Sequence, residues 1–258
     1  MPLNPALTDW RGRRVWIIGA SSGIGAATAR LFLEKGARVA LSARSREPLA
    51  ALAAIAPDRA LALPLDARQD EEIAAALREI VARWGGLDLV LFCAGTYSPM
   101  RAWSLDGAKA TEMVQLNLVS VISGLREVMP QLLSQGGGAI ALVASVAGYR
   151  GLPGALVYGA TKAALINLAE TLYLDLAPRG IAVYLVNPGF VKTPLTDRNT
   201  FRMPALVSAE EAAREIARGI EGGRFEIHFP RRFTLALRLA RLLPYSLYFR
   251  LAHRATGL

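Results

Sequence analysis

Between residues 14 and 187 the sequence carries six short runs of nearly unbroken apolar residues, each followed by a stretch long enough for a helix. They are Arg14 to Gly19, Arg38 to Ser42, Ala60 to Pro64, Leu87 to Cys93, Ala139 to Ala144 and Ile181 to Asn187. A strand with one wet face alternates apolar and polar residues; a strand covered on both faces does not. Val15-Trp16-Ile17-Ile18 and Leu87-Asp88-Leu89-Val90-Leu91-Phe92 are of the second kind. Between the runs, Glu71 to Trp84 and Ala205 to Ile220 carry the 3.6-residue apolar period, and Ser208 with Glu211 has capping-box spacing before the latter. This rhythm predicts a doubly wound (Rossmann) α/β fold with a parallel sheet and helices on both faces. No repeat or linker divides the first part, which predicts one domain over residues 1–227 and an appended segment over 228–258.

The first run leads straight into Gly19-Ala20-Ser21-Ser22-Gly23-Ile24-Gly25 and the Ala-rich stretch Ala26 to Glu34, so the glycines open a helix. That arrangement suits a phosphate. Gly19 permits a tight turn, Gly23 lets backbone approach a pyrophosphate, Gly25 allows close helix packing, and the helix start offers free N–H groups and partial positive charge. Glycines also punctuate loops for purely conformational reasons, but strand before and helix after favour nucleotide binding. The end of the second strand usually reads the adenine ribose, with an acid for a free 2′-hydroxyl or an arginine for a 2′-phosphate. Ser42-Ala43-Arg44-Ser45 holds no acid. Arg44 therefore points to NADP(H) rather than NAD(H), the plain alternative being a solvated loop cation. Asp66, just after the third run, is a candidate acceptor for the adenine edge or a helix cap.

Tyr158-Gly159-Ala160-Thr161-Lys162 sets a phenol and an ammonium one helical turn apart. Such pairs are frequent on helices, and this one draws its meaning from Ser145, thirteen residues upstream at the end of an apolar run, and from the glycine turn. With those residues assembled, the chain resembles the short-chain dehydrogenase/reductase family from Arg13 to about Ile227. The resemblance is carried by Gly19, Gly23 and Gly25, Ala94-Gly95, Asn117, Ser145, Tyr158 with Lys162, and Pro188-Gly189. The Tyr158–Lys162 spacing is similar to that of the NADP(H)-preferring carbonyl-reducing branch.

The resemblance implies hydride transfer between NADP(H) and a ketone or secondary alcohol. Tyr158 would donate the proton, Ser145 hold the reacting oxygen, and Lys162 contact the nicotinamide ribose and, with an oxidised nicotinamide cation, lower the phenol pKa. Asn117 would hold a water linking Lys162 to solvent, or else cap neighbouring backbone. Ser21, Ser22, Ile24, Ala94 and Gly95 would border the cofactor, while Pro188, Gly189 and Thr193 would flank its carboxamide. Residues 190–207 would form a substrate lid, and Leu152, Leu156 and Phe190 are compatible with a hydrophobic ketone. A homo-oligomer, dimer or tetramer, is also implied. One departure is Phe92-Cys93 where the family has two asparagines, and Cys93 is expected to fill space as a small hydrophobe. The alternatives in other classes are a catalytically idle NADP(H)-binding sensor and a membrane-surface scaffold.

Bulk properties narrow the rest. At 258 residues, with 53% apolar and 20% charged residues, the chain can bury a large core. Cys93 is the only cysteine, and the two histidines, His228 and His253, are distant, which predicts no disulfide, no metal site and a cytoplasmic location. Val15 to Ala20 is too short for a signal peptide. The formal charge of +9 owes most to Arg231, Arg232, Arg238, Arg241, Arg250 and Arg254, with no acid from Ile227 onward; without them it is about +3, which argues against nucleic acid as partner. Leu235, Leu239 and Leu242 share a helical face until Pro244 interrupts the pattern. That segment could lie peripherally on an anionic membrane or pack on protein.

Overall fold

Val15 and Ile17 point to one side of the first strand, Trp16 and Ile18 to the other, and all four are buried. The sheet has seven strands: β1 (Arg14–Ile18), β2 (Arg38–Ala43), β3 (Ala60–Pro64), β4 (Leu89–Phe92), β5 (Gly138–Val143), β6 (Ile181–Pro188) and β7 (Glu226–Phe229), the last buried on one side only. In the computed structural model, which describes residues 2–198 and 203–256, all pair in parallel in the order β3-β2-β1-β4-β5-β6-β7. The molecule is a single doubly wound α/β domain, as the apolar rhythm predicts.

One face is covered by α1 (Gly23–Glu34), α2 (Arg46–Ala53) and α7 (Ala209–Glu221) through Phe32, Leu49 and Ile216. The other is covered by α3 (Asp70–Trp84), α5 (Ser120–Gln135) and α6 (Leu156–Leu176) through Ile80, Val128 and Leu165. A short α4 (Gly107–Val114) joins α5 through one π-helical turn, Gln115–Val119. Burying an indole N–H requires a partner, and Trp16 donates to the Ser42 hydroxyl at 2.9 Å. Strand order reverses between β1 and β4, which opens a crevice at their carboxyl ends.

Several boundaries differ from the sequence reading, each for a local reason. Leu87 leaves β4 because the Gln135 amide takes both its backbone groups, accepting from Leu87 N at 2.9 Å and donating to its carbonyl at 2.7 Å. α7 begins at Ala209, not Ala205: Ser208 caps it by accepting from Glu211 N at 3.1 Å, while Ala205 has φ +52° and Val207 is bridged to Val191. The expected boundary at 227/228 falls inside β7, so the sheet extends to Phe229.

Past β7 come α8 (Arg231–Ala240) and, after Pro244, a further helix α9 (Tyr245–Thr256). Thr234 is fully buried, and Phe233 and Leu237 pack on the core. Leu235, Leu239 and Leu242 are exposed, as are Tyr245, Leu247, Phe249 and Leu251. Glu226 fastens α8, accepting from Tyr149 Oη at 2.5 Å and Asn187 Nδ2 at 2.8 Å and pairing with Arg238 at 3.1 Å. Arg150 holds the far end, its Nη1 donating to the carbonyls of Ala240, Arg241 and Leu243 at 2.8–3.3 Å. Its guanidinium lies over the rings of Tyr245 and Tyr248. No helix of the described residues is long and apolar enough to cross a membrane.

Candidate active site

The cleft begins where β1 turns into α1. Gly19 has φ +101°, and a Cβ there would stand 2.4 Å from Ala94 N; a Cβ on Gly25 would stand 2.1 Å from the Gly19 carbonyl. Only glycine lets these three backbones meet. Gly23, at φ +53°, faces the Thr193 side chain, which would lie 2.8 Å from a Cβ. Ser22 caps α1 without a side-chain bond, leaving the N–H groups of Gly23 and Ile24 to meet an anion. A cradle of bare backbone at a helix start fits a dinucleotide pyrophosphate.

From this turn a cleft of about 260 Å³ runs along the carboxyl ends of the strands. Its walls include Gly19, Ser21, Ser22, Gly23, Ile24, Gly25, Arg44 and Asp66 at one end. Ala94, Gly95, Ser145, Tyr158, Lys162, Pro188, Gly189 and Thr193 complete it. The residues expected to do the chemistry or border the cofactor therefore share one cavity except Asn117, which is fully buried behind Gly95. Asn117 accepts from Thr96 N at 2.7 Å and donates to Thr96 O at 2.9 Å and Thr161 Oγ1 at 3.3 Å. Its side chain thus braces the loop after β4, the backbone-capping alternative raised above.

At the adenine end, Arg44 is exposed on the cleft wall where β2 finishes. Asp66 accepts from Arg68 N at 3.0 Å and from the Arg68 guanidinium, which holds its carboxyl below the usual carboxylate range. Gln69 occupies the cap position of α3, so Asp66 is not that helix's cap.

At the chemical end, Ser145 has an extended backbone, and its Oγ accepts from Ala147 N at 3.1 Å to start a short turn. That turn lies hard against α6, for a Cβ on Gly148 would be 2.6 Å from the Lys162 carbonyl carbon. Burial pushes the Tyr158 phenol up to about 12, while its hydrogen bond with Ser145 pulls the other way. Burial brings Lys162 down to about 8. Its Nζ donates to Val143 O at 2.9 Å and sits 5.7 Å from the ring centroid, too distant to offset the lost hydration. Cys93 lies at the same wall, with its thiol raised by burial to about 11 and so protonated at neutral pH.

Tyr97 was not read from sequence; its ring meets Tyr158 edge-on with centroids 5.0 Å apart. Its position two residues beyond Ala94-Gly95, in the loop leaving β4, was the available signal. Leu116 lines the cleft unforeseen, and residues 194–196 of the expected lid line it too. Leu152, Leu156 and Phe190 stand outside its walls, and Phe190 lies instead against Phe233, centroids 5.8 Å apart. The expected lid is a loop clasped at its base, Lys192 N to Val207 O at 2.9 Å and Val207 N to Phe190 O at 3.0 Å. Residues 199–202 of it lie outside the described residues.

A glycine cradle at the reversal of a parallel sheet, beside a serine, a tyrosine and a lysine, defines a nucleotide-dependent α/β enzyme. The short chain dehydrogenase family profile matches residues 13–202. An uncharacterised oxidoreductase of Myxococcus xanthus is 34% identical over 245 residues, covering 94% of this chain and 97% of that protein. The chain belongs to the short-chain dehydrogenase family and is an oxidoreductase. Among solved structures, a short-chain dehydrogenase from Streptomyces avermitilis superposes with TM-score 0.79 at 25% identity, over 95% of this chain and 98% of that one. A Burkholderia phymatum short-chain dehydrogenase/reductase in complex with NAD gives 0.83 at 24%, over 91% and 94%, a likeness of fold.

Proposed function

We propose that the protein transfers a hydride between NADP(H) and a ketone or secondary alcohol, with Tyr158 moving the proton. The observation that carries this reading is the convergence of Ser145, Tyr158 and Lys162 in the same cleft as the Gly19–Gly25 cradle. A bound nicotinamide supplies or accepts the hydride. Everything else falls to the chain. Gly23 and Ile24 N–H groups bind the pyrophosphate, Pro188, Gly189 and Thr193 border the nicotinamide, and Lys162 holds its ribose. Arg44 pairs with the 2′-phosphate, and the absence of an acid at Ala43 removes a repulsion. Ser145 hydrogen-bonds the substrate oxygen, and Tyr158 Oη delivers its proton there as negative charge develops. A phenol near 12 is fully protonated at neutral pH, the form that reduction consumes. The one cysteine fits a cytoplasmic location, and association into a dimer or tetramer accompanies the family reading.

The test is NADPH oxidation against a panel of ketones, with Tyr158→Phe as the diagnostic variant. It keeps the ring and removes the proton, so turnover should fall at least ~10²-fold while NADPH affinity stays the same. Near wild-type turnover in that variant would remove Tyr158 from the reaction.

A second reading is favoured by the exposed leucines of α8: the tail makes peripheral contact with an anionic membrane. Co-sedimentation with phosphatidylglycerol vesicles checks it, using the full chain because β7 and Thr234 tie the tail into the core.

A further inference from the structure

Two segments leaving neighbouring strands form part of the chemical end of the cleft. After β5 the chain turns through Ser145 to Tyr149, and β6 runs on through Asn187 and Pro188 to Gly189. Their shared ladder stops short of the site: Val143 is the last residue of β5 in register with β6, and Ala144 N donates to Val186 O at 2.8 Å. β6 then continues paired with β7, up to Pro188 opposite Phe229. Hydride transfer requires the substrate carbonyl and the nicotinamide to be held at one separation, so a tie between these segments beyond the ladder bears on the reaction.

One carboxylate oxygen makes that tie. Glu226 Oε1 accepts from Tyr149 Oη at 2.5 Å and from Asn187 Nδ2 at 2.8 Å, while Oε2 faces Arg238 at 3.1 Å. Tyr149 closes the turn that Ser145 opens, and Asn187 is the residue before Pro188. Asn187 is fully buried, and among the described residues its Oδ1 meets no donor, so the Nδ2 bond sets the orientation of the amide. Burial and the bond to Glu226 both raise the Tyr149 phenol, which keeps it protonated and a donor. Arg238, its side chain half exposed, balances the charge from the outer oxygen and leaves Oε1 to the two buried donors. Glu226, Tyr149 and Asn187 all lie outside the cleft walls.

We propose that Glu226 is a positioning residue for the reaction: by joining Tyr149 to Asn187 through one oxygen, it fixes the spacing between the Ser145 hydroxyl and the Pro188–Gly189 wall, and hence between substrate oxygen and nicotinamide. The inference rests on the reductase reading above and adds to it a residue that touches neither reactant.

The test is steady-state kinetics on a ketone from the panel above that the wild-type protein reduces, alongside thermal melts and the fluorescence of bound NADPH. Tyr149→Phe keeps the ring and cuts only the tie to the Ser145 turn; kcat should fall about tenfold, with KM and NADPH Kd within about twofold of wild type, because the Ser145 bond matters most as charge develops. Glu226→Leu, of similar size, frees both segments. Its kcat should fall further, and the emission of bound NADPH should shift because the nicotinamide wall is released as well. Glu226→Gln keeps an acceptor oxygen and should recover most of that kcat together with the wild-type emission. Adding Tyr149→Phe to Glu226→Leu should lower kcat no further, since the shared bond is already gone. Lower melting temperatures with kcat and emission unchanged would show that Glu226 only fastens α8, overturning the inference and leaving the reductase reading standing. A loss that Glu226→Gln does not recover assigns the effect to charge and overturns it too. If Glu226→Leu does not fold, Tyr149→Phe decides alone, and an unchanged kcat there overturns the inference. No turnover of any ketone by the wild-type protein overturns the reductase reading and this inference with it.

Discussion

In the proposed function, the choice of dinucleotide turns on two adjacent side chains at the end of β2, the small Ala43 and the exposed Arg44, both on the cleft wall. A carboxylate at position 43 would repel a 2′-phosphate and accept from a 2′-hydroxyl, and loss of the guanidinium removes a bidentate partner. Ala43→Asp with Arg44→Ala should therefore shift preference from NADPH to NADH in titrations of both cofactors. If NADPH stays preferred, another cation reads the phosphate. The same residue-level arithmetic governs Tyr158 and Lys162, where burial moves the phenol up and the ammonium down, each toward its neutral form. A one-turn separation places two groups on one helix face but does not say where a lysine's long stem will direct its nitrogen, here to Val143 O.

Elements were legible in proportion to how much of their stability came from periodic burial. β1 and α3 follow the apolar pattern to within a residue or so, and α3 adds Asp70, Glu71 and Glu72 in its first turn and Gly85 at its end, which suit the helix dipole and a left-handed stop. β7 was missed because Glu-Ile-His-Phe is short and half polar; Glu226 earns its place by its bonds to Tyr149, Asn187 and Arg238, which no local pattern shows. α9 was missed because Pro244 reads as a stop, although a proline just before a helix costs it nothing. The Phe92 departure from the family pattern also resolves at this scale. Its ring, buried in the sheet–α5 interface, fits only because residue 124 lacks a Cβ, which would sit 2.4 Å from Phe92 Cε1. Gly124→Ala should destabilise despite its better helix propensity, since crowding a filled core costs about 1–3 kcal/mol against a gain of about 1. Thermal melts should show a Tm lower by a few degrees; a rise would mean the ring moves aside without strain.

Across the whole molecule, the sequence anticipated the lining of the cleft more fully than the docking of the tail. The cradle and the Tyr158–Lys162 pair depend on residue types at fixed spacing close to regular elements. The tail's docking depends on long-range partners more than 70 residues away in sequence, such as Arg150 to Arg241 O and Tyr149 to Glu226. Arg150 is the singular member of that set, because one guanidinium receives the last carbonyls of α8 and is covered by two tyrosines of α9. Neither helix can detach without breaking contacts that also hold the other. Amide hydrogens of α8 and α9 should then exchange with deuterium through a single shared opening, at one common rate well above that of β6. Arg150→Ala should split that opening in two, with α9 exchanging first and β6 unaffected; unchanged exchange in the variant would mean that Phe233 and Tyr248 suffice to keep the two helices together.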